Sequence, residues 1–247
     1  MIYETLTNHA LSLERGQTVR DIRIGLRYTA ALLDDGACGA AYTFQGGPAC
    51  GCHLFGEAGN VSGRPVRELI PWVGENHLLK ASVGLAAINA VLNRPDPAHL
   101  HGNVLEVLSV QPDETFGMIG EFRPILAGVR KMTEHIYVFE QNLSKGDHLY
   151  AEDQIPAYLP RCDVVVVTAT SIINHTIDGV LEHCRHARQV CLVGPSTPLC
   201  PQAFADTPVT LLAGSVAVDP ERLLQIVGQA GGTMHMKPAI EQVMMRV

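Results

Sequence analysis

Two glycines in the segment 115–124 (TFGMIGEFRP) mark the part of the chain whose residue types and spacing best suit ligand binding. An apolar run leads into Gly117 and Gly120 and is followed by a predicted helix at residues 125–130. Glycine lets the backbone approach a ligand closely, and a helix start presents unpaired N–H groups and a positive dipole end. The segment therefore predicts a small-ligand site that favours an anion or a polar oxygen.

A carboxylate follows at the spacing that nucleotide-binding sheets use. Glu140 ends the apolar segment 135–140, about twenty residues after Gly120. Open α/β sheets place an acidic residue there to bind a ribose hydroxyl. The complete dinucleotide fingerprint has three glycines, whereas this segment has only Gly117 and Gly120, so an ordinary strand-to-helix turn is the alternative interpretation.

The elements that position these residues are predicted to form an α/β domain with a mainly parallel sheet. The order of strand and helix patterns alternates after residue 114, and residues 163–168 are continuously apolar between their ends. A strand of that kind is covered on both faces, as in parallel sheets. The predicted strands are residues 115–119, 135–140, 163–168, 189–193 and 209–212.

Polar and turn residues gather just after these predicted strands, where parallel sheets bind their ligands. We therefore expect a pocket at the carboxyl ends of the strands, although Ser, Thr and Asn are also ordinary helix caps. Pro195 and Pro198 stiffen one of the loops, which lacks the Gly-x-Ser-x-Gly pattern of a nucleophile elbow, so its hydroxyls are interpreted as hydrogen-bonding ligands. The candidate ligand-binding residues are Gly117, Gly120, Glu140, Thr168, Thr170, Ser171, Asn174, Gly194, Ser196 and Thr197.

The first part of the chain is predicted to be an α+β domain. It is predicted to contain a helix at 3–14, a strand pair or one long bent strand at 18–33, a strand at 37–44 and a helix at about 75–92. That last helix is apolar nearly all round and is therefore predicted to be buried. Asn89 within it either bonds to backbone or reaches into an interdomain site, so it joins the ligand-binding candidates.

The proline-containing segment 93–102 cannot continue a helix and is predicted to connect two domains, at residues 1–100 and 101–247. We expect the first domain to close over the pocket of the second.

Four motifs point to a resemblance with a known family: 193–199 (VGPSTPL) and 212–216 (LAGSV) in the second part, and 19–25 (VRDIRIG) and 84–90 (GLAAINA) in the first part. They resemble a bacterial and archaeal family of unknown function that carries the label "putative heavy-metal chelation". The resemblance covers nearly the whole chain. It implies an enolase amino-terminal-like domain followed by a Rossmann-like domain, with a site between them that handles a ligand or a metal.

Soft metal donors occur in a glycine-rich loop of the first part. Cys50, Cys52 and His53 lie there, with Cys38 upstream, and such groups suit a divalent transition metal such as zinc or copper. The Cys-x-Cys-His spacing lacks the two-residue gap of a structural zinc knuckle, and packing is the commoner role of cysteine. We therefore treat Cys50, Cys52 and His53 as metal candidates and core packing as the alternative.

Composition excludes some partner classes. The 247 residues are 47% hydrophobic and carry a net charge of −7 without any basic run, which disfavours nucleic acid. The sequence has no apolar run long enough to span a bilayer and no signal-peptide pattern at the amino terminus, so a membrane is also disfavoured. Seven cysteines, an odd number, fit reduced thiols, and we expect a cytoplasmic protein.

Three functional classes fit these residues. The first is a protein, enzymatic or not, that binds a small organic chelator or metal complex between the domains. The second is a transferase or lyase using a nucleotide-like cofactor such as S-adenosylmethionine, with Glu140 on the ribose, and the third stores or delivers metal through Cys38, Cys50, Cys52 and His53. Exclusion and resemblance favour the first class, with an anionic chelator beside Glu140. A homo-oligomer is compatible with all three.

Overall fold

The computed structural model describes residues 1–44, 54–141 and 149–247, which form a mixed α/β structure with two sheets. The strands are β1 (Val19–Ile24), β2 (Tyr28–Leu33), β3 (Cys38–Tyr42), β4 (Phe116–Ile119), β5 (Ile136–Phe139), β6 (Leu149–Tyr150), β7 (Val164–Thr168), β8 (Gln189–Val193), β9 (Leu211–Ala217) and β10 (Ile240–Arg246). The helices are α1 (Ile2–Leu13), α2 (Val66–Leu69), α3 (Leu78–Leu92), α4 (Val104–Leu108), α5 (Arg123–Val129), α6 (Ile155–Tyr158), α7 (Thr170–Ile173), α8 (Ile177–Glu182), α9 (Pro201–Phe204), α10 (Pro220–Gly228) and α11 (Thr233–Met236).

The smaller sheet is antiparallel, in the order β1-β2-β3, and helices cover both of its faces. Ala31 and Ala41 point into the core that contains α3, whereas Ala30 and Leu32 point into a second core that contains α10. Every residue of β2 is buried as a result. The predicted strand pair at 18–33 is confirmed as β1 and β2.

The predicted buried helix is confirmed as α3. Its start lies three residues later than predicted, because Glu75 is extended and His77 caps the helix by accepting the Lys80 N–H at 3.4 Å. Small residues on α3 allow it to lie directly on β3, where Gly39 contacts the helix backbone. In the described parts of the chain, no helix is long and apolar enough to cross a bilayer.

The larger sheet has the order β10-β9-β8-β7-β4-β5-β6, in which all strands are parallel except β10. The predicted mainly parallel α/β fold is confirmed. The strand order reverses between β4 and β7, since the chain moves outward from β4 to β6 and then returns to the other side of β4. Such a switch point is where open α/β sheets form ligand clefts.

The sequence patterns do not predict β6 or β10, and they predict β9 at 209–212, whereas β9 spans Leu211–Ala217. β6 has only two residues, too few for a hydrophobic period. The end of β9 contains Gly214 and Ser215, which interrupt the apolar pattern but pair with Val243 and Gln242 of β10. Their strand conformation depends on that long-range pairing.

The two halves of the chain share one core. Leu6 and Ala10 of α1 and Ala86 of α3 belong to the same buried cluster as Val167 and Leu192 of the larger sheet. In addition, α10 from the second half covers the smaller sheet. The domain division at 1–100 and 101–247 stays a prediction, and these contacts join the two halves through extensive packing.

The contact of Gly39 with α3 gives a stability prediction. A Cβ atom at Gly39 would overlap backbone atoms of Ala86, Asn89 and Ala90, none of which can rotate away. We expect Gly39→Ala to lower the free energy of unfolding by at least about 3 kcal/mol, at the upper end of overpacking costs. Denaturant titration followed by circular dichroism measures this change.

Gly179→Ala in α8 is the matched control, since a Cβ there meets nothing within 4 Å. Alanine is the better helix former, so this variant should be neutral or gain about 0.5–1 kcal/mol. Equal stabilities of the two variants would show that β3 and α3 are not in close contact.

Candidate functional site

A cleft of about 300 Å³ lies at the switch point of the larger sheet. Both halves of the chain line it. The lining residues from the smaller sheet and its end are Tyr28, Tyr42 and Phe44, and those from the second half are Ile119, Gly120, Glu121, Phe122, Phe139, Glu140, Gln141, Glu152, Thr168, Thr170, Ser171, Asn174 and Thr176. The cleft therefore has an aromatic wall and a polar wall.

The turn after β4 forms the floor of the cleft. Gly120 has φ +80°, and an added Cβ would lie 3.1 Å from Cγ2 of Thr168. Its N–H donates to the Phe139 carbonyl at 2.8 Å, which ties the turn to β5. Helix α5 then begins at Arg123, two residues before the predicted start.

Gly117 has a different role from Gly120. It lies inside β4, and an added Cβ would lie 2.9 Å from Sγ of Cys162 and from Cδ1 of Leu159. Its small size thus allows the segment before β7 to pack on the sheet. The structure does not bring Gly117 to the cleft surface.

Glu140 follows β5 and is fixed above the turn after β4. Its carboxylate accepts the N–H of Glu121 at 3.2 Å and the N–H of Gln141 at 3.1 Å. The Gln141 amide donates to Glu152 at 3.3 Å, and Arg123, which is 76% exposed, pairs with Glu121 at 3.4 Å. Three carboxylates are therefore held at one end of the cleft.

Hydroxyl and amide groups after β7 form the adjoining part of the polar wall. The Oγ1 atoms of Thr168 and Thr170 lie 2.9 Å apart, and the Ser171 hydroxyl donates to the Thr168 carbonyl at 2.6 Å. Asn174 Oδ1 accepts the Thr176 hydroxyl at 2.8 Å. These bonds fix the loop, so both the pocket and the capping interpretations agree with its geometry.

Asn89, Ser196 and Thr197 lie in a buried seam between the two halves and not in the cleft lining. The Asn89 amide donates to the Ala40 carbonyl at 2.8 Å and to the Ser196 carbonyl at 3.1 Å. The Ser196 hydroxyl accepts the Tyr42 N–H at 2.8 Å. These bonds favour the backbone-bonding interpretation of Asn89. Gly194, with φ +117°, turns the chain into this seam.

Asn93 is a seam residue that sequence analysis missed. Its amide donates to the carbonyls of Thr197 at 2.9 Å and Ser215 at 3.1 Å, and its Oδ1 accepts the Leu199 N–H at 2.8 Å. The sequence feature that indicates this role is the spacing of four between Asn89 and Asn93 at the end of a buried helix. This spacing puts both side-chain amides on one face of the helix.

The aromatic wall was also missed. Tyr28 and Tyr42 are directly opposite each other in the ladder between β2 and β3. Phe44 extends the same side of the chain beyond β3, and Phe122 precedes α5. Only the register of the smaller sheet brings Tyr28 and Tyr42 together, and a single sequence does not specify that register.

A second cleft of about 390 Å³ is larger and does not lie at the carboxyl ends of the strands, where the pocket is expected. It lies beside the amino-terminal end of β5 and is lined by Arg130, Thr133, Glu134, Ile136 and Val138. All of its lining residues come from one segment of the second half. The switch-point cleft combines residues from both halves with carboxylates and hydroxyls, so we take it as the candidate site.

The described cysteines are buried and free: Cys38, Cys162, Cys184, Cys191 and Cys200. Burial raises the pKa of the Cys38, Cys162 and Cys184 thiols to about 12, because it disfavours the thiolate. Thiolate is the form that binds metals. Cys38 in particular faces the core that contains α10 and is not arranged as an accessible metal ligand.

The metal candidates Cys50, Cys52 and His53 lie outside the described residues. Within residues 1–44, 54–141 and 149–247, no group of three or more His, Cys, Asp or Glu side chains is arranged to hold a metal ion.

The raised thiol pKa values predict resistance to alkylation. At about pH 8, a thiol with a pKa of about 12 is thiolate in only about one molecule in ten thousand. We expect Cys38, Cys162 and Cys184 to stay unmodified when native protein is treated with iodoacetamide and to react after unfolding in guanidinium. Peptide mass spectrometry reads out each site, and rapid native labelling of Cys38 would contradict its burial.

The turn at Gly120 gives a second prediction with a closely matched control. Gly59 has φ +81°, but an added Cβ there meets nothing within 4 Å. Gly59→Ala should therefore cost about 1–2 kcal/mol through backbone conformation alone. Gly120→Ala should cost more, because the methyl group also presses on Thr168. Denaturant titration of both variants measures the difference, and equal losses would mean that the turn is not packed against β7.

Comparisons with known proteins agree with this architecture. A crystal structure of a protein with unknown function from Pyrococcus horikoshii superposes with a TM-score of 0.86 at 24% identity, covering 100% of both chains. One from Desulfitobacterium hafniense superposes with a TM-score of 0.84 at 23% identity, covering 100% of this chain and 98% of the other. Both show the same fold.

The sequence comparisons cover the same span. An uncharacterized protein from Methanocaldococcus jannaschii is 26% identical over 268 aligned positions, which cover 100% of this chain and 98% of the relative. Two family models match, at residues 3–92 and 103–246, and both carry the description "putative heavy-metal chelation". The chain therefore belongs to the family with that description, as its motifs indicated.

Proposed function

We propose that this protein binds a small organic ligand, alone or as a metal complex, in the switch-point cleft. The position of the cleft supports this proposal, because open α/β sheets bind ligands where their strand order reverses. The contribution of both halves to one cleft also supports it. The family description is consistent with a ligand that carries a metal.

The placement of Glu140 is the observation that carries the proposal furthest. It follows the strand next to β4 and is held by two backbone N–H groups, at the place where nucleotide-binding sheets present an acid to ribose. A carboxylate has about four lone-pair sites and can accept several hydrogen bonds at once, so hydroxyl groups are suitable donors to it. We infer a ligand with neighbouring hydroxyl groups, of the nucleoside type.

The chemistry of the walls favours such a ligand over the anionic chelator suggested by the sequence. Three carboxylates at one end of the cleft would repel a polyanion. Tyr42, Phe44 and Phe122 offer flat apolar surface of the kind on which a base can stack. These walls therefore support a nucleotide-like ligand such as S-adenosylmethionine, which the sequence suggests for a transferase or lyase. The support is the same whether the protein only binds this ligand or also acts on it.

A metal complex is the second candidate, and the family description is the observation that favours it. In this case the metal is cargo held by the organic ligand. Burial of the Cys38 thiol argues against direct storage of metal at that residue. Elemental analysis together with native mass spectrometry of protein purified without chelating agents distinguishes a bound complex from an organic ligand alone.

Substitution of Glu140 tests the nucleoside-type ligand. Glu140→Gln keeps the shape but removes the charge, and charge-assisted hydrogen bonds contribute about 1.5–3 kcal/mol each. We expect the affinity for adenosine to fall by about tenfold or more in isothermal titration calorimetry. Thermal unfolding of the variant verifies that the turn after β4 is retained.

Glu134→Gln is the control, because Glu134 lines the larger cleft. The Glu134→Gln variant should bind adenosine with the same affinity as the unmodified protein. A loss in Glu134→Gln together with unchanged binding in Glu140→Gln would transfer the site to the larger cleft. An affinity that is the same in both variants and in the unmodified protein would exclude a ribose contact at Glu140.

A further inference from the structure

Three aromatic side chains in the switch-point cleft meet nearly at right angles. The rings of Tyr28 and Tyr42 have centroids 5.9 Å apart and an interplanar angle of 88°, and those of Tyr42 and Phe44 are 5.2 Å apart at 84°. All three residues line the cleft. We call Tyr28, Tyr42 and Phe44 the aromatic corner.

The aromatic corner is held in place by groups outside it. The Tyr28 hydroxyl lies 2.7 Å from Oγ1 of Thr233, and the Tyr42 N–H donates to the Ser196 hydroxyl. Tyr28 is buried apart from 8% of its surface, and Tyr42 packs against buried residues of two cores. The rings are therefore pre-organised, so a ligand would bind without ordering them first.

The charged residues that line the cleft in the described part of the chain are acidic. Glu121, Glu140 and Glu152 contribute carboxylates, and the lining residues within the described ranges include no Lys, Arg or His. Arg123 pairs with Glu121 from the exposed side. Aromatic faces carry the negative part of a quadrupole, so the rings and the carboxylates favour the same sign of ligand charge.

We propose that the aromatic corner seats a positively charged onium centre of the ligand, either a sulfonium or a methylated ammonium. Aromatic rings attract such a centre when it lies within about 6 Å of their centroids, and onium groups lose little hydration on entry. The proposal rests on the proposed function and specifies the charge of its ligand. A sulfonium nucleoside such as S-adenosylmethionine would meet both requirements, with its ribose at Glu140 and its cation at the aromatic corner.

Two ligands that differ by one methyl group, and by the positive charge it gives the sulfur, test this proposal. S-adenosylmethionine carries a sulfonium, whereas S-adenosylhomocysteine has a neutral thioether in the same place. We expect the full-length protein to bind the sulfonium compound at least about tenfold more tightly in calorimetry, as cation–π contacts in a partly desolvated site provide. Adenosine and choline are titrated in parallel, since they represent the nucleoside and the onium group separately.

Phe44→Leu removes one aromatic face but keeps an apolar side chain of similar bulk. It should reduce the preference for the sulfonium over the thioether to less than about threefold. Both compounds carry the same adenosine part, so this ratio does not depend on a change in base stacking at Phe44. Phe122→Leu is the matched control, because Phe122 lines the same cleft outside the aromatic corner. In that variant the tenfold preference for the sulfonium should persist.

The four ligands separate failure of this proposal from failure of the proposed function. Adenosine binding with no preference for the sulfonium would overturn the onium site and leave the nucleoside site standing. Choline binding that is lost in Phe44→Leu, without adenosine binding, would support the aromatic corner and overturn the nucleoside-type ligand. Absence of binding by all four compounds would overturn both.

Discussion

The buried amides of Asn89 and Asn93 hold the rest of the site in register. Each side chain donates to two backbone carbonyls, and together they connect β3, the loop after β8 and β9. A buried carbonyl without a donor costs about 1–3 kcal/mol, so a shift of one half against the other would leave several such groups unpaired. Since Tyr42 ends β3 and bonds to Ser196, the aromatic wall is positioned by the same seam.

Apolar packing and this polar seam have separate roles. The shared core supplies the driving force, because α1 and α3 bury their side chains against residues of the larger sheet. Apolar contacts alone would allow the two halves to shift against each other, whereas the hydrogen bonds of the seam form in only one alignment of the halves. The seam is not fully optimised for stability: Asn89 Oδ1 and Thr197 Oγ1 are buried without a hydrogen-bond partner in the described structure.

The sequence patterns predict those elements whose conformation depends on neighbouring residues, and these are the elements that agree with the structure. Helix α3 and strand β7 followed from their unbroken apolar character, and the wall from Thr168 to Asn174 followed from the rule that parallel strands bind ligands at their carboxyl ends. Ser196 also follows a parallel strand, but it lies in the seam, because Asn89 and Tyr42 provide hydrogen-bond partners for it there. Tyr42 of the smaller sheet lies 154 positions before Ser196 in sequence, so the local pattern contains no sign of this pairing.

The same dependence on long-range pairing determines the chemistry of the cleft. In the sequence alone, Glu140 and the two glycines before it form an incomplete nucleotide-binding fingerprint. This fingerprint does not identify a surface on which a base could stack. The register of β2 and β3 supplies the missing surface by placing Tyr28 opposite Tyr42, and the seam then brings that surface to the carboxylates. Aromatic and acidic walls that come from different halves of the chain favour a ligand with a flat or cationic part and a hydroxylated part. If the cleft binds an organic ligand as proposed, a metal reaches the protein through that ligand.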